Sequence, residues 1–231
     1  MPYTHLPWLA LISKSIDLVW SLSSGKKPML LEPIVSWHAI NPAPGVIFPS
    51  DLYQPPAHWG HRLSNVFLDA QFLTLKINDN VAKRSRDDIV SFQSVLSSIQ
   101  ARLVHLGDVL TSPVEEMVRL TLMSFLTTTV KVPGRKLPYD WVREKLRFTY
   151  KEAAEGLLLY NASLRVWILL TIAFTVARDG DDWIKDAWIK VGLGLDWDTV
   201  KKHMMRVMWI EIIHDRPAEA AFQQLQGFSV L

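Results

Sequence analysis

Leu157-Leu-Leu-Tyr-Asn161-Ala-Ser-Leu-Arg165-Val-Trp-Ile-Leu-Leu-Thr-Ile-Ala-Phe-Thr-Val-Ala177 is the longest apolar run in the chain. Its length meets the requirement for crossing a bilayer, about 20 apolar residues. Asn161, Ser163 and Arg165 interrupt it, and Arg178-Asp179-Gly180-Asp181-Asp182 follows at once. A central arginine costs about 2.5–3.5 kcal/mol on membrane insertion. The run therefore reads as a helix that starts at an Asn161 cap, extends to about Arg178 and is apolar on nearly every side. Such a helix belongs at the centre of a globular bundle. Arg165 then has to lie near the helix start with its head group exposed or paired, because an unpaired buried charge is very costly.

The rest of the composition agrees with a globular chain. Its 231 residues are 49% hydrophobic with ten tryptophans, enough for a sizeable core. There is no cysteine, which removes disulfides, thiolate zinc sites and a cysteine nucleophile. A net charge of +2 gives no strong pull toward nucleic acid or anionic membrane. No secretory signal is expected at the N-terminus, where Lys14 and Asp17 interrupt the apolar residues of Pro7 to Leu22. Asn161-Ala162-Ser163 has the form of a glycosylation sequon but reads as the helix cap.

Trp8 to Leu22 has helical spacing. Residues 28–56 contain seven prolines and read as irregular, with a short strand conceivable at Ile34 to Trp37. Helical periodicity returns from His58 to Val81, and Asn78-Asp79-Asn80 with Lys83-Arg84-Ser85-Arg86 is expected to form a turn. Ser85 and Asp88 resemble a cap for the next helix. There, Ile89, Phe92, Leu96, Ile99, Leu103 and Leu106 trace one apolar seam up to Gly107. Ser112-Pro113-Val114-Glu115 opens a helix to about Val130. Asp140 is expected to cap a helix through about Ala154, Asp181 a short helix, and Asp196 the last long one. Arg216-Pro217 is expected to close the ordered part, with a turn or two of helix after it. The fold class is all-α: a single bundle of about eight helices over residues 58–231, with an N-terminal helix and proline-rich irregular segment (residues 1–57) packed on it.

Chemistry-bearing residues are sparse. His58 and His61 are three apart, but no acidic residue at matching spacing completes a metal site. His214-Asp215, with His105 and Asp108, resembles the ligand set of helical phosphohydrolases, yet fits a helix end as well. Lys83-Arg84-Ser85-Arg86 reads as a solvated loop rather than a phosphate site or nuclear import signal. Met204, Met205 and Met208 beside Trp209 could line a pocket for an apolar effector or fill the core. Glycine-rich phosphate loops, nucleophile elbows and His-Glu-x-x-His helices are absent. The chain is read as a non-enzyme, with no catalytic, cofactor-binding, metal or DNA-binding residue nominated and no cofactor.

Three segments, in order, resemble the regulatory region of fungal zinc-cluster transcription factors. They are Ser94 to Leu110 followed by Ser112-Pro113-Val114-Glu115-Glu116-Met117-Val118-Arg119-Leu120, then Leu164 to Ala177 with Trp167, then Trp188 to Trp209 with Leu195-Asp196-Trp197-Asp198-Thr199-Val200. The likeness runs from Arg62 to His214, about two thirds of the chain. It implies a nuclear, helical domain that tunes transcription of metabolic or secondary-metabolite genes through protein contacts, and a small-molecule effector is compatible with it. The family's six-cysteine DNA-binding module has no counterpart here. That module is expected either upstream, in an exon outside this chain, or not at all. In the second case, the partner would be an intact zinc-cluster factor or a second copy. The alternative is a helical enzyme or small-molecule-binding protein, which requires His105, Asp108 and His214 to converge on one pocket.

Overall fold

The computed structural model describes residues 17, 20, 21, 24–26, 28–29, 35–40, 49–83, 89–129, 139–191, 194 and 196–227. Within them are eight helices and no strand: α1 (His61–Lys83), α2 (Ile89–Leu106), α3 (Pro113–Thr127), α4 (Asp140–Leu158), α5 (Ala162–Thr175), α6 (Asp182–Val191), α7 (Trp197–Val207) and α8 (Glu211–Gln226). The chain is an all-α helical bundle. The helix expected over Trp8 to Leu22 lies largely outside the described residues, although positions 17, 20 and 21 are helical. Residues 35–37 form no part of a strand.

The run at Leu157 divides between two helices. Its first two residues finish α4, and a turn at residues 159–161 separates them from α5. Asn161 caps α5 through its side-chain oxygen, which accepts from the Ser163 N–H at 2.7 Å. α5 packs against α3, α6, α7 and α8, and is the central helix of the bundle. From Ser163 to Thr175 every residue except Arg165 is buried. Arg165 occupies the first turn, as its charge demands, and is half-buried. No carboxylate among the described residues pairs with it, and its Nε is buried without a hydrogen-bond partner.

The other caps differ in how well their side chains were placed. Ser112 accepts from the Glu115 N–H and Pro113 occupies the first helical position. Asp196 caps α7 through the Thr199 N–H at 2.8 Å. Asp140 is not a cap: Tyr139 precedes the helix, and the Asp140 carboxylate pairs with Arg178 at 2.7 Å instead. Asp181 spends its carboxylate on the Arg143 guanidinium and the Arg178 N–H. Burial alone would raise the Asp181 pKa, but those hydrogen bonds and the Arg143 and Arg147 charges outweigh it and hold the carboxyl below its ordinary value.

Three expected boundaries are corrected. α1 continues through Asn78-Asp79-Asn80 to Lys83, because Asn78 directs its amide to a carbonyl elsewhere rather than to its own backbone. α3 ends at Thr127, short of Val130. Arg216-Pro217 does not close the ordered part. Pro217 lies inside α8, the helix burying His214, Ala218, Ala221, Phe222 and Leu225. A proline inside a helix costs about 3 kcal/mol, and that buried face offsets it. The expected Ser85 cap, Arg84 to Arg86 and the Pro133-Gly134 break lie outside the described residues.

α1 and α2 are joined by a buried ion pair, Asp69 to Arg102 at 2.7 Å, each side chain 2% exposed. Asp69 also accepts from the Ile40 N–H, and Asn65 donates to the Trp37 carbonyl. Two polar side chains of α1 thus fix residues 37–40 of the irregular N-terminal segment on the bundle. Leu52 and Trp59 enter the core beside them.

Candidate effector groove

α7 is strongly two-sided. Val200, Met204 and Val207 are buried, whereas Lys202, Met205 and Arg206 face outward. The last carbonyls of a helix have no intrahelical donor. Here four successive carbonyls receive donors from distant parts of the chain. The Tyr53 N–H reaches the Arg206 carbonyl at 2.6 Å. Gln71 Nε2 reaches that of Val207 at 2.7 Å, Trp167 Nε1 that of Met208 at 3.0 Å, and Asn78 Nδ2 that of Trp209 at 2.7 Å. These bonds hold residues 208–210 extended between α7 and α8.

The link forms one wall of a groove of about 410 Å3. Met205 supplies exposed apolar surface above the buried Met208 and Trp209; Thr74, Leu75 and Asn78 of α1 face them, and Leu52 adds to the wall. Lys202 lines the same groove, and Arg206 reaches Asp51 across it at 3.4 Å. This size and this mixture of apolar surface with a few polar groups suit a small organic ligand. Trp209 is held from behind, since its Nε1 donates to Asp215 Oδ1 at 2.8 Å. Lys201 bridges Asp215 and Glu211, and the Asp215 bond leads the interactions that raise its pKa.

Of the residues nominated for an effector pocket, Met205 lines this groove as an exposed side chain, Met208 and Trp209 line it from within the core, and Met204 belongs to the core alone. The histidines do other work. His214 is fully buried among Phe125, Phe174 and Trp209. Its Nδ1 accepts from the Ile210 N–H. Its Nε2 meets Thr128 Oγ1 at 2.8 Å, and that hydroxyl already donates to the Phe125 carbonyl, so the ring is the neutral Nε2–H tautomer. Burial pushes its pKa down to about 3. Both nitrogens are occupied, and His214 cannot serve as metal ligand or catalytic base in this arrangement. His58 Nε2 meets the Tyr160 hydroxyl at 2.7 Å, and His61 is exposed at the start of α1. Among the described residues, no three His, Asp or Glu side chains gather as a metal site. Lys83 ends α1, and the remainder of its basic tetrad is outside the described residues.

One pairing had no sequence signal. Ser163 Oγ lies 2.9 Å from His203 Nδ1, forty positions away. Burial, followed by the Arg206 charge, lowers the His203 pKa. Ser163 is itself buried in the first turn of α5, and no described carboxylate orients the other ring nitrogen. The pair ties α5 to α7 rather than forming a nucleophile and its base.

Comparison with protein-family models, curated proteins and solved structures returns no match to this chain. No helix of the described residues is long and apolar enough to cross a membrane.

Proposed function

We propose that this chain is the regulatory domain of a transcription regulator, one that holds an apolar small-molecule effector in the groove between α1 and α7. Having no cysteine, it cannot itself fold a zinc cluster. It acts through protein contacts, with an intact zinc-cluster factor or a second copy as partner, on metabolic or secondary-metabolite genes in the nucleus. The observation that carries the reading is that Met205, within a segment resembling that family, gives the groove an exposed apolar wall over the buried side chains of Met208 and Trp209. Methionine walls adapt to varied apolar shapes, as an effector site requires.

The test is a reporter assay in a fungal host. The full chain is fused to a heterologous DNA-binding domain, and a tagged unfused copy is localised by microscopy. The expected result is nuclear accumulation of the tagged chain and a reporter output different from that of the DNA-binding domain alone. Exclusion from the nucleus, together with an unchanged reporter and unchanged transcripts after deletion of the gene, would overturn the proposal.

A further inference from the structure

Arg165 poses a separate problem from the groove. Its guanidinium carries a positive charge. It lines a notch of about 100 Å3 where α4, α5 and α6 meet, and its Nε is buried without a partner. A second buried donor without a partner, Trp183 Nε1, belongs to a ring in contact with Tyr150, another lining residue, at 5.3 Å between centroids. Leu157, Leu169 and Val191 make the wall apolar, and Lys190 brings a second cation to it. A buried donor left unsatisfied is costly, and a ligand carboxylate accepting from it would remove that cost.

From this geometry we infer that the notch binds a small aliphatic monocarboxylate. The planar guanidinium matches a carboxylate through paired N–H bonds. The aliphatic wall favours a hydrocarbon tail over the fully hydrated oxygens of sulfate or phosphate. The volume limits that tail: a dry cavity of about 150 Å3 takes benzene, so this smaller one takes a chain of a few carbons. Glu155 also lines the notch and is the chain's own competitor for the Arg165 charge, although it is exposed and forms no ion pair with it. This site is distinct from the groove beside Trp209, and its ligand is independent of the regulatory reading.

Sodium butyrate titrated into the full-length chain, followed by calorimetry, tests the inference, with 1-butanol and sodium chloride at matched ionic strength as controls. Saturable butyrate binding is expected, at least about tenfold tighter than that of butanol. Arg165→Met keeps the apolar stem and should weaken butyrate by about tenfold or more while leaving butanol unchanged. Glu155→Gln, at an exposed position, should tighten butyrate by about threefold. It also keeps the test alive should the Arg165 variant fail to fold. Butyrate binding no tighter than butanol in both the natural chain and Glu155→Gln would overturn the site. So would undiminished binding by folded Arg165→Met, or equal responses to butyrate, sulfate and chloride.

Discussion

The indole Nε1 of Trp167 donates to the backbone carbonyl of Met208 at 3.0 Å, and neither residue is more than 1% exposed. This one bond joins the central helix to the link that shapes the groove. Trp167 also touches Phe67 and Phe125 edge to face or tilted, so its ring fills the core while its polar atom closes a helix end. Trp167→Phe leaves a buried carbonyl without a donor and a small void. It should cost about 2–4 kcal/mol. Urea unfolding would show this as a lower midpoint at constant slope. Asn78→Ala, which removes the neighbouring donor at a half-buried position, should cost about 1 kcal/mol. Equal losses for the two variants would contradict this account.

The Asp69–Arg102 pair makes a sharper demand. Their charged groups meet at 2.7 Å, yet Asp69 Oδ2 and Arg102 Nη2 lack well-aligned hydrogen bonds. Burial raises the Asp69 pKa, outweighing the Arg102 interaction and the Ile40 bond. Such a pair contributes little net stability but is expensive to halve. Asp69→Leu or Arg102→Met alone should cost about 3–5 kcal/mol, and the double variant should recover most of it. A thermodynamic cycle from urea curves measures the coupling. Additive losses would show that the two side chains do not depend on each other.

Composition made the central helix legible: an apolar stretch with one arginine close to its capping asparagine has few places to go. The break before α5 is legible too, because Asn161 marks the cap, whereas α4, expected to end at about Ala154, continues to Leu158. Pro217 misled because a local rule forecasts a stop, while the five buried residues of α8 that keep the helix going declare themselves only once α5 and α7 are in place. The groove was half-visible for a similar reason. Met204 and Met205 differ by about 100° around the helix axis, so which one faces the core depends on where α5 lies. The donors that close α7 come from positions 53, 71, 78 and 167, too far away in the chain for any motif to reveal.

The groove itself is open to a direct measurement. Met205 is 45% exposed and contributes apolar surface without belonging to the core. Replacing it with glutamine should leave the unfolding free energy from urea curves within about 0.5 kcal/mol of the natural chain. The same change should weaken a neutral apolar fluorescent probe such as N-phenyl-1-naphthylamine by about tenfold, from the lost contact area. Fluorescence titration of both proteins reads the difference. Unaltered probe affinity would place the bound probe elsewhere on the surface.

His214 sets a pH dependence with a definite sign. Its pKa falls from the ordinary value of 6.5 to about 3 because burial opposes the charged form. The rings of Phe125, Phe174 and Trp209 and the Thr128 hydroxyl surround it, with no titratable partner among them. The unfolded chain therefore takes up a proton near pH 6.5 that the folded chain refuses until about pH 3. This contribution to stability is complete above pH 6.5 and is lost as the pH falls toward 3. The slope is about 1.4 kcal/mol for each pH unit between them. Urea midpoints at pH 7, 6 and 5 should fall accordingly in the natural chain. His214→Gln is neutral at every pH and should be less stable at pH 7, but its stability should decline less steeply across the same range, by about that slope. Parallel pH profiles for the two proteins would mean that His214 is not held neutral by the core.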